Sequence, residues 1–427
     1  MRIRVPGDKS ISQRALLLAA LAEGESRLRG VLPSADPRST AGALRALGVD
    51  VPPLPADGSE IRISGVGLRG LRPPSAPLDL GNSGTGARLL LGVLAALPFR
   101  SVLTGDASLR GRPMGRVTDP LGTMGAVFEP LDAPDRLPLA VGPSPGLRSV
   151  DLDLPVASAQ VKSALLLAGL VGGVPVLLTE PGPSRDHTER MLTGAGATVV
   201  RHVRGPGYRV ELRDPPAALR PLDLDVPGDP SSAAFPVLAA VLGVGLGHIE
   251  IRGVGLNPTR TGFFDLLRRM GARIEVEPGA EQGGEPVGTV RARASGLRGI
   301  DVGPDHVVAA IDELPAVAVA AIRARGTTRI TGAGELRVKE TDRIRALTEN
   351  LRALGVSCRE LPDGLEVDGT DDPLSGRVRS FDDHRIAMVF GVLAAQAGNR
   401  IEVDGREAVE VSYPGFWTQL KEMADGA

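Results

Sequence analysis

One sequence theme recurs six times along the chain, and this repetition limits what the chain can fold into. Each copy has a polar or glycine-rich start, an apolar helix rich in alanine and leucine, a turn of small residues and a short strand. The copies begin at Lys9, Ser83, Ser158, Ser231, Asp312 and Asp383. Because they stand roughly 70–80 residues apart, which is longer than a solenoid repeat, each copy belongs to a larger α/β module.

A second, amphipathic helix is predicted inside each module, ended by a small residue before a strand. These helices start near Thr40, Val117, Thr188, Thr261 and Ile344, and the sixth covers 416–424. A glycine after the last apolar position is the usual C-cap. The first helix of each module is apolar nearly all round and should be buried, whereas the second should keep one face in solvent.

A chain of 427 residues is too long for one core, so six modules predict two domains of three modules each. The break should fall in the proline- and glycine-containing segment 224–232. A biased composition could by itself produce alanine- and leucine-rich helices, but it would not place a polar cluster before each of them. If the buried helices point their N-termini toward a common cleft, their N–H groups and dipoles would attract anions.

Composition excludes several classes of protein. The chain has 49 basic and 51 acidic residues, which disfavours a nucleic-acid binder. One cysteine, Cys358, excludes an intramolecular disulfide, and the five histidines have no metal-ligand spacing. No apolar run approaches the ~20 residues of a membrane span, and no secretory signal is legible at the N-terminus. A soluble, cytoplasmic protein without a metal site is therefore expected.

Lysine is scarce. The chain contains only Lys9, Lys162, Lys339 and Lys421, against forty-five arginines. Where arginine replaces lysine this readily, a lysine that persists can mark a need for a compact ammonium. Lys9 and Lys339 lie in polar motifs, whereas no role can be assigned to Lys162.

Several motifs in the first half of the chain combine a helix start with groups that could bind an anion. Ser10 can cap a helix, and Lys9 and Arg14 can meet one anion, although a capped helix with solvated charges is an alternative. The glycine-rich turn at 81–90 allows a ligand to approach the backbone. Further polar residues at helix starts or in loops, for which capping or solvation competes with ligand binding, are Arg112, Ser158, Gln160, Arg185 and His187.

The second half carries the candidate acids. Asp312 stands amid apolar residues, and an unpaired buried carboxylate would have a raised pKa that suits a general base. A helix N-cap is compatible with the same position. Segment 334–345 concentrates charges that are either solvated or part of a site, and 381–388 places His384 and Arg385 at another helix start.

Together these motifs resemble the 5-enolpyruvylshikimate-3-phosphate synthase family of enolpyruvyl transferases. The resemblance runs through VPGDKSISQRA, GNSGTGAR, RGRPM, SAQVKSA, RDHTE, VPGDPSSA, DELP, RVKETDR and DDHRIAM, in order and over nearly the whole chain. It implies an α/β fold with two similar domains of three βαβαββ modules, an inside-out α/β barrel. Residues 9–227 would form one domain, and 1–8 with 228–427 the other.

The resemblance also implies site residues. Shikimate-3-phosphate would contact Lys9, Ser10, Arg14, Ser158, Gln160, Arg185, Asp312 and Lys339. Phosphoenolpyruvate would contact Lys9, Gly84, Arg112, Gln160, Arg343 and Arg385. Asp312 and Glu340 would transfer protons, with Lys9 assisting and His384 nearby. Val411 replaces a lysine that some members carry, which leaves that one contact open.

The implied reaction is an addition–elimination in the biosynthesis of aromatic amino acids. The sugar 5-hydroxyl attacks C2 of phosphoenolpyruvate, and the tetrahedral intermediate then loses phosphate, in a cleft that domain closure shields from water. No metal or organic cofactor would be needed. The partners would be two small-molecule substrates of a monomeric enzyme, with glyphosate fitting beside Gly84.

Two other functions compete. A UDP-N-acetylglucosamine enolpyruvyl transferase would share the fold, but its members typically carry a loop cysteine in the first half of the chain, whereas Cys358 lies in the second half. A repeat scaffold that binds nucleic acid is disfavoured by the net charge of −2 and by 3% aromatic residues.

Overall fold

The protein, described here from a computed structural model over Met1–Gly426, divides into two compact units. The first unit comprises Gly7–Val226 and Glu281–Glu285. The second comprises Met1–Pro6, Pro227–Ala280 and the described chain from Pro286 onward. The sequence itself predicted a break within 224–232, and the family resemblance implied domains of 9–227 and of 1–8 with 228–427. It did not predict that Glu281–Glu285 would group with the first unit.

The chain begins with β1 (Arg2–Ile3), which belongs to the second unit. The helices of the first unit are α1 (Lys9–Leu21), α2 (Ala35–Ala46), α3 (Gly84–Leu94), α4 (Ala107–Arg110), α5 (Gly115–Thr123), α6 (Ala159–Gly172) and α7 (His187–Gly194). Its strands are β2 (Glu23–Arg29), β3 (Ile61–Val66), β4 (Leu78–Asp79), β5 (Ser101–Thr104), β6 (Phe128–Pro130), β7 (Leu139–Val141), β8 (Val150–Asp153), β9 (Val176–Glu180), β10 (Val200–Arg204), β11 (Gly207–Leu212) and β12 (Asp223–Asp225).

The second unit repeats this pattern. Its helices are α8 (Pro230–Val241), α9 (Gly262–Arg269), α10 (Pro304–Val307), α11 (Leu314–Ala321), α12 (Arg343–Ala353), α13 (His384–Ala395) and α14 (Phe416–Asp425), with 3₁₀ turns at Gly334–Val338 and Arg406–Val411. Its remaining strands are β13 (His248–Gly255), β14 (Arg273–Pro278), β15 (Val287–Arg293), β16 (Leu297–Arg298), β17 (Asp301–Val302), β18 (Ala324–Arg325), β19 (Thr327–Ile330), β20 (Cys358–Leu361), β21 (Gly364–Asp368), β22 (Ser375–Arg379) and β23 (Arg400–Asp404).

Most modules share one sheet topology. In the module that begins with β4, strand β4 pairs in parallel with β5, which pairs antiparallel with β7, and β7 with β6. The β8 module and the β17 module have the same pairings. The parallel pair requires a helical crossover, which the first helix of each module supplies. The predicted α/β class with repeated βαβαββ modules is confirmed, although the first module has three paired strands, β12–β2–β3, and the last has only the parallel pair β22–β23.

The first strand of two modules comes from a distant part of the chain. Strand β12, which precedes α8 in sequence, pairs in parallel with β2 of the first unit. Strand β1, which precedes α1, pairs in parallel with β13 of the second unit. In each unit, one sheet therefore includes a strand that lies next to a point where the chain passes from one unit to the other.

The two helix types differ in burial as predicted. Every residue of α8 and of α11 is buried, whereas α9 buries Phe263, Phe264, Leu266 and Leu267 and leaves its other residues at least partly exposed. The predicted glycine stops are also confirmed. The glycines that follow the second helices, Gly48, Gly125, Gly196, Gly271 and Gly355, have φ between 76° and 100°, a backbone conformation that favours glycine.

Candidate active site

The start of α1 places Lys9 at a capped helix N-terminus in the first unit. Asp8, and not Ser10 as predicted, is the N-cap, since its carboxylate accepts from Ile11 N at 2.9 Å. Lys9 Nζ lies 3.0 Å from Asp36 Oδ2, and the Lys9 side chain is 20% exposed. The ammonium is therefore held by the Asp36 carboxylate and still reaches solvent.

Arg14 is far more buried than a solvated charge. It is 4% exposed, and its guanidinium donates to Thr188 Oγ1 at 2.8 Å, to Ser163 Oγ at 3.0 Å and to the Ser10 carbonyl at 3.1 Å. Burial, which the charges of Glu189 and Asp8 oppose and that of Arg185 reinforces, lowers the pKa of Arg14 to about 10. Arg14 stays protonated at neutral pH and is oriented by two hydroxyls.

Gly84 is the first residue of α3 and stands between two arginines. A Cβ at this position would lie 3.1 Å from Nη1 of Arg112 and 3.2 Å from Nη1 of Arg88. Arg112 donates to Asn82 Oδ1 at 2.6 Å. Arg88 was not singled out from the sequence, although the motif at 81–90 contains it and it follows Gly84 by one helical turn; its position beside Gly84 makes it a further candidate site residue.

Gln160 ties α6 to α3. Its Oε1 accepts from Arg88 at 2.7 Å, and its Nε2 donates to Thr85 Oγ1 at 3.0 Å. Ser158 is the N-cap of α6 and accepts from Val161 N at 3.5 Å, so capping is the role that the structure gives its hydroxyl. The first turns of α3 and α6 are therefore in contact. This agrees, for these two helices, with the prediction that the helix N-termini converge.

The loop between β9 and α7 carries Arg185, which is partly exposed between buried Ser184 and Asp186. His187 is the first residue of α7, in agreement with its interpretation as a helix-start residue. Its Nδ1 lies 2.7 Å from Glu285 Oε1, and both side chains are 2% exposed. The segment Glu281–Glu285 is thus held in the first unit by a buried His–Glu contact.

These residues of the first unit form what we call the first half-site. It consists of Lys9, Ser10, Arg14, Gly84, Arg88, Arg112, Ser158, Gln160 and Arg185. Guanidinium and ammonium groups beside the N-termini of buried helices suit phosphate and carboxylate groups.

In the second unit, Asp312 lies among cations. Its Oδ1 is 3.4 Å from Arg343 Nη1 and 3.7 Å from Lys339 Nζ, and its Oδ2 is 3.9 Å from Arg385 Nη2. The prediction of an unpaired buried acid was wrong, because the side chain is 14% exposed and faces these three groups. The N-cap alternative is also wrong, because Glu313 occupies the cap position of α11.

Arg343 is the centre of this cluster. Its side chain is 1% exposed and contacts Asp383 at 2.7 Å and Glu340 at 2.7 Å, in addition to Asp312. Burial opposes its charge, yet the carboxylates of Asp383, Glu340 and Asp312 raise the pKa of Arg343 above its ordinary value. The charge run 334–345 is therefore not simply solvated, since Arg343 is permanently cationic and buried.

Arg385 is held from its other side by a second buried carboxylate. Its Nη1 lies 3.3 Å from Glu313 Oε1, and Ser231 Oγ donates a short hydrogen bond to the same oxygen. Arg260 donates to Ser231 Oγ at 2.8 Å. Glu313 and Ser231 were not predicted as site residues, although both lie inside motifs singled out from the sequence.

We call Asp312, Glu313, Lys339, Glu340, Arg343, Asp383, His384 and Arg385 the second half-site. His384, the first residue of α13, is 3% exposed. Asp383 caps the same helix and accepts from Arg385 N at 2.8 Å, so it fixes both arginines of the cluster. Alternating carboxylates and cations of this kind can both bind an anion and move a proton.

Comparison with known proteins identifies the family. The sequence profile of EPSP synthase (3-phosphoshikimate 1-carboxyvinyltransferase) matches residues 1–420. The chain belongs to the EPSP synthase family. A 3-phosphoshikimate 1-carboxyvinyltransferase of Alkalilimnicola ehrlichii is 51% identical over 97% of this chain and 91% of the relative, and one of Halorhodospira halophila is 49% identical over 99% and 93%.

Solved structures of related proteins have the same fold as this chain. The EPSP synthase of Acinetobacter baumannii superposes with a TM-score of 0.87 at 40% identity and covers 99% of this chain and 95% of that one. The enolpyruvyl transferase NikO of Streptomyces tendae has the same fold, with a TM-score of 0.73 at 20% identity over 99% of this chain and 94% of that one.

The described residues 1–426 contain neither a cluster arranged to bind a metal nor a helix suited to span a membrane. Among residues 1–426, no cluster of three or more His, Cys, Asp or Glu side chains is arranged to hold a metal ion. Within that same range, no helix is both long enough and apolar enough to cross a bilayer.

Proposed function

We propose that this chain transfers the enolpyruvyl group of phosphoenolpyruvate to the 5-hydroxyl of shikimate-3-phosphate and releases phosphate. The observation that carries the proposal is the environment of Asp312, a carboxylate within 3.4–3.9 Å of Arg343, Lys339 and Arg385 in a member of the EPSP synthase family. A base beside cations can accept a proton while anionic substrates are bound next to it.

The first half-site supplies most of the groups for shikimate-3-phosphate. In this proposal the anionic groups of shikimate-3-phosphate bind Arg185 and Arg14. Further hydrogen bonds come from Ser158, Gln160, Ser10 and Lys9. Lys339 and Asp312 contribute from the second half-site. Guanidinium groups hold phosphate and carboxylate oxygens with paired hydrogen bonds, which fixes the orientation of the sugar.

Phosphoenolpyruvate would bind Arg112, Gln160, Lys9 and the open position at Gly84, together with Arg343 and Arg385 of the second half-site. Arg88 extends this set, because its Nη1 donates to Gln160 and lies next to Gly84. Fixed cations around both phosphates would stabilise the charge that develops in the transition state.

In the proposed mechanism, Asp312 accepts the proton of the 5-hydroxyl as that oxygen bonds to C2 of phosphoenolpyruvate. Glu340, assisted by Lys9, protonates the methylene carbon, which gives a tetrahedral intermediate. Removal of a proton from the new methyl group then expels phosphate and restores the double bond. His384 lies directly before Arg385 and is proposed to support this cluster.

We further propose that the partners are these two small molecules and that the enzyme acts without a metal or organic cofactor, as a monomer in the cytoplasm. A UDP-N-acetylglucosamine enolpyruvyl transferase remains the second candidate reaction. Cys358 does not favour it, since burial raises the pKa of this thiol and its sulfur contacts the Thr348 carbonyl at 3.7 Å.

The deciding experiment measures phosphate release from phosphoenolpyruvate in the presence of shikimate-3-phosphate, UDP-N-acetylglucosamine or neither. We expect release only with shikimate-3-phosphate, together with a product heavier by one enolpyruvyl group in mass spectrometry. Release that depends on the nucleotide sugar instead would overturn the proposal.

A further inference from the structure

Lys162 is buried behind the first half-site and has no place in the proposed chemistry. It lies in α6, two residues after Gln160, and its side chain is 0% exposed. Its Nζ donates to Glu180 Oε2 at 2.7 Å and lies 2.7 Å from Glu189 Oε1. An ammonium in such a position loses its hydration, so its carboxylate partners determine where it can sit. We call Lys162, Glu180 and Glu189 the buried triad.

The first arm of the buried triad ends beside Arg185. Glu180 is the last residue of β9, and its second oxygen, Oε1, accepts from Ser184 Oγ at 2.5 Å. Ser184 is 5% exposed and directly precedes Arg185. The contacts from Lys162 through Glu180 to Ser184 therefore restrain the loop that presents Arg185.

The second arm ends at Arg14. Glu189 lies in the first turn of α7, next to Thr188, and Ser163 follows Lys162 in α6. Thr188 and Ser163 are 2.6 Å apart and both accept from the Arg14 guanidinium. The two residues that orient Arg14 are thus each adjacent in sequence to a member of the buried triad.

The charges of this region are coupled. Two carboxylates face the one ammonium, and burial raises the pKa of Glu189, which Lys162 opposes. Glu189 in turn helps to keep Arg14 protonated. Without the ammonium, the two buried carboxylates of Glu180 and Glu189 would lose the cation that they share. One of them would then have to take up a proton or move.

We propose that Lys162 is a positioning residue for shikimate-3-phosphate. It would hold α6, the 181–186 loop and α7 in the arrangement that aims Arg185 and Arg14 at the anionic groups of this substrate. The proposal rests on the proposed function, because it concerns the affinity for one of the two substrates. The contacts of Lys162 described above involve neither the Asp312 cluster nor Gly84, so the expected effect is on binding and not on the chemical step.

The test replaces Lys162 with methionine, which keeps the length of the side chain and removes its charge. Lys421→Met, on the exposed face of α14, is the matched control. Steady-state rates are measured with each substrate varied in turn. We expect Lys162→Met to raise KM for shikimate-3-phosphate by at least about tenfold, with kcat and KM for phosphoenolpyruvate within about threefold of wild type. A merely structural lysine would lower the melting temperature and leave this KM unchanged.

A milder variant covers the case in which Lys162→Met does not fold. Ser184→Ala removes one hydroxyl and interrupts the first arm, so KM for shikimate-3-phosphate should rise severalfold. An unchanged KM in every variant that folds would overturn the proposal, provided that the wild type and Lys421→Met turn over shikimate-3-phosphate. If the wild type itself fails to use that substrate, the proposed function falls, and the positioning role falls with it.

Discussion

The two half-sites divide charge in different ways. In the first, the contacts of Lys9, Arg88 and Arg112 include the Asp36 carboxylate, the side-chain amides of Gln160 and Asn82, and the Pro113 carbonyl. In the second, each cation contacts carboxylates, and Arg343 alone contacts Asp312, Glu340 and Asp383. A site rich in cations binds anions, whereas a site that mixes both signs can also transfer protons. Under the proposed function, this difference predicts that the first half-site contributes mainly to binding and the second to proton transfer.

The two half-sites also differ in the backbone that precedes their helices α3 and α13. Before α3 the chain turns at Gly81 with φ 54°, a left-handed conformation that costs glycine little. Before α13 it turns at Phe381 with φ 54° and at Asp382 with φ 58°, where side chains add strain of about 1 kcal/mol per residue. Strained backbone directly before Asp383 and His384 marks the second half-site as the more constrained of the two.

The largest effect is expected at Asp312. Asp312→Asn keeps the shape of the side chain and removes the base, so kcat should fall by about 10²–10⁴-fold. Binding of shikimate-3-phosphate, measured by calorimetry, should stay within a few fold, because the first half-site is intact. Asp305→Asn, on an exposed residue of α10, is the control. Turnover near the wild-type level would contradict both the base assignment and the division between the half-sites.

The reverse pattern is expected at Arg112. Arg112→Gln removes a charged donor from the first half-site, and one charge-assisted hydrogen bond contributes about 1.5–3 kcal/mol, so KM for phosphoenolpyruvate should rise roughly 10–100-fold. The effect on kcat should be smaller. Arg116→Gln, four residues along and exposed, should change neither constant. If Arg112→Gln lowered only kcat, the first half-site would not be the binding half.

A smaller effect is expected at Gly84. The Cβ of Gly84→Ala would lie 3.1–3.2 Å from the tips of Arg112 and Arg88, which must shift by a few tenths of an ångström. We expect KM for phosphoenolpyruvate to rise a few fold and the glyphosate concentration for half inhibition to rise about tenfold, since the added methyl takes up space beside both arginines. Inhibition assays at several phosphoenolpyruvate concentrations test this. No change in either quantity would remove Gly84 from the binding site.

The smallest effect is expected at a charge cluster outside both half-sites. Hydrogen bonds from Arg291 and Arg252 lower the pKa of Glu250 to about 2. A carboxyl with a folded-state pKa below its unfolded value of 4.5 stabilises the fold above pH 4.5, and this contribution is lost as the pH falls toward 2. Because Glu250 is only partly buried and its arginine partners reach solvent, Glu250→Gln should lower the melting temperature at pH 7 by less than about 2 °C and leave activity unchanged. A difference between variant and wild type that persisted unchanged at pH 2 would contradict this account.

The helices and most of the motif positions could be predicted from the sequence because they depend on local patterns. Hydrophobic periodicity separated α8 and α11 from α9, and the glycines after the second helices were recognised as stops. Lys9, Gly84 and Arg343 were named because they lie in short motifs. The site assignments themselves came from resemblance to a family, and local patterns alone had left capping and solvation open for most of these residues.

What only the tertiary structure decided are the contacts between residues far apart in the chain. Strand β1 pairs with β13 and strand β12 pairs with β2, although the members of each pair are far apart in the chain, and the segment Glu281–Glu285 groups with the first unit through His187. Asp312 was expected to be unpaired because its neighbours in sequence are apolar, whereas its true neighbours come from segments 27 to 73 residues later. Lys162 stood out in the sequence by scarcity alone, and its partners Glu180 and Glu189 could be identified only once β9 and α7 were placed against α6. Periodicity and capping are properties of adjacent residues, but the partner of a buried charge is set by packing.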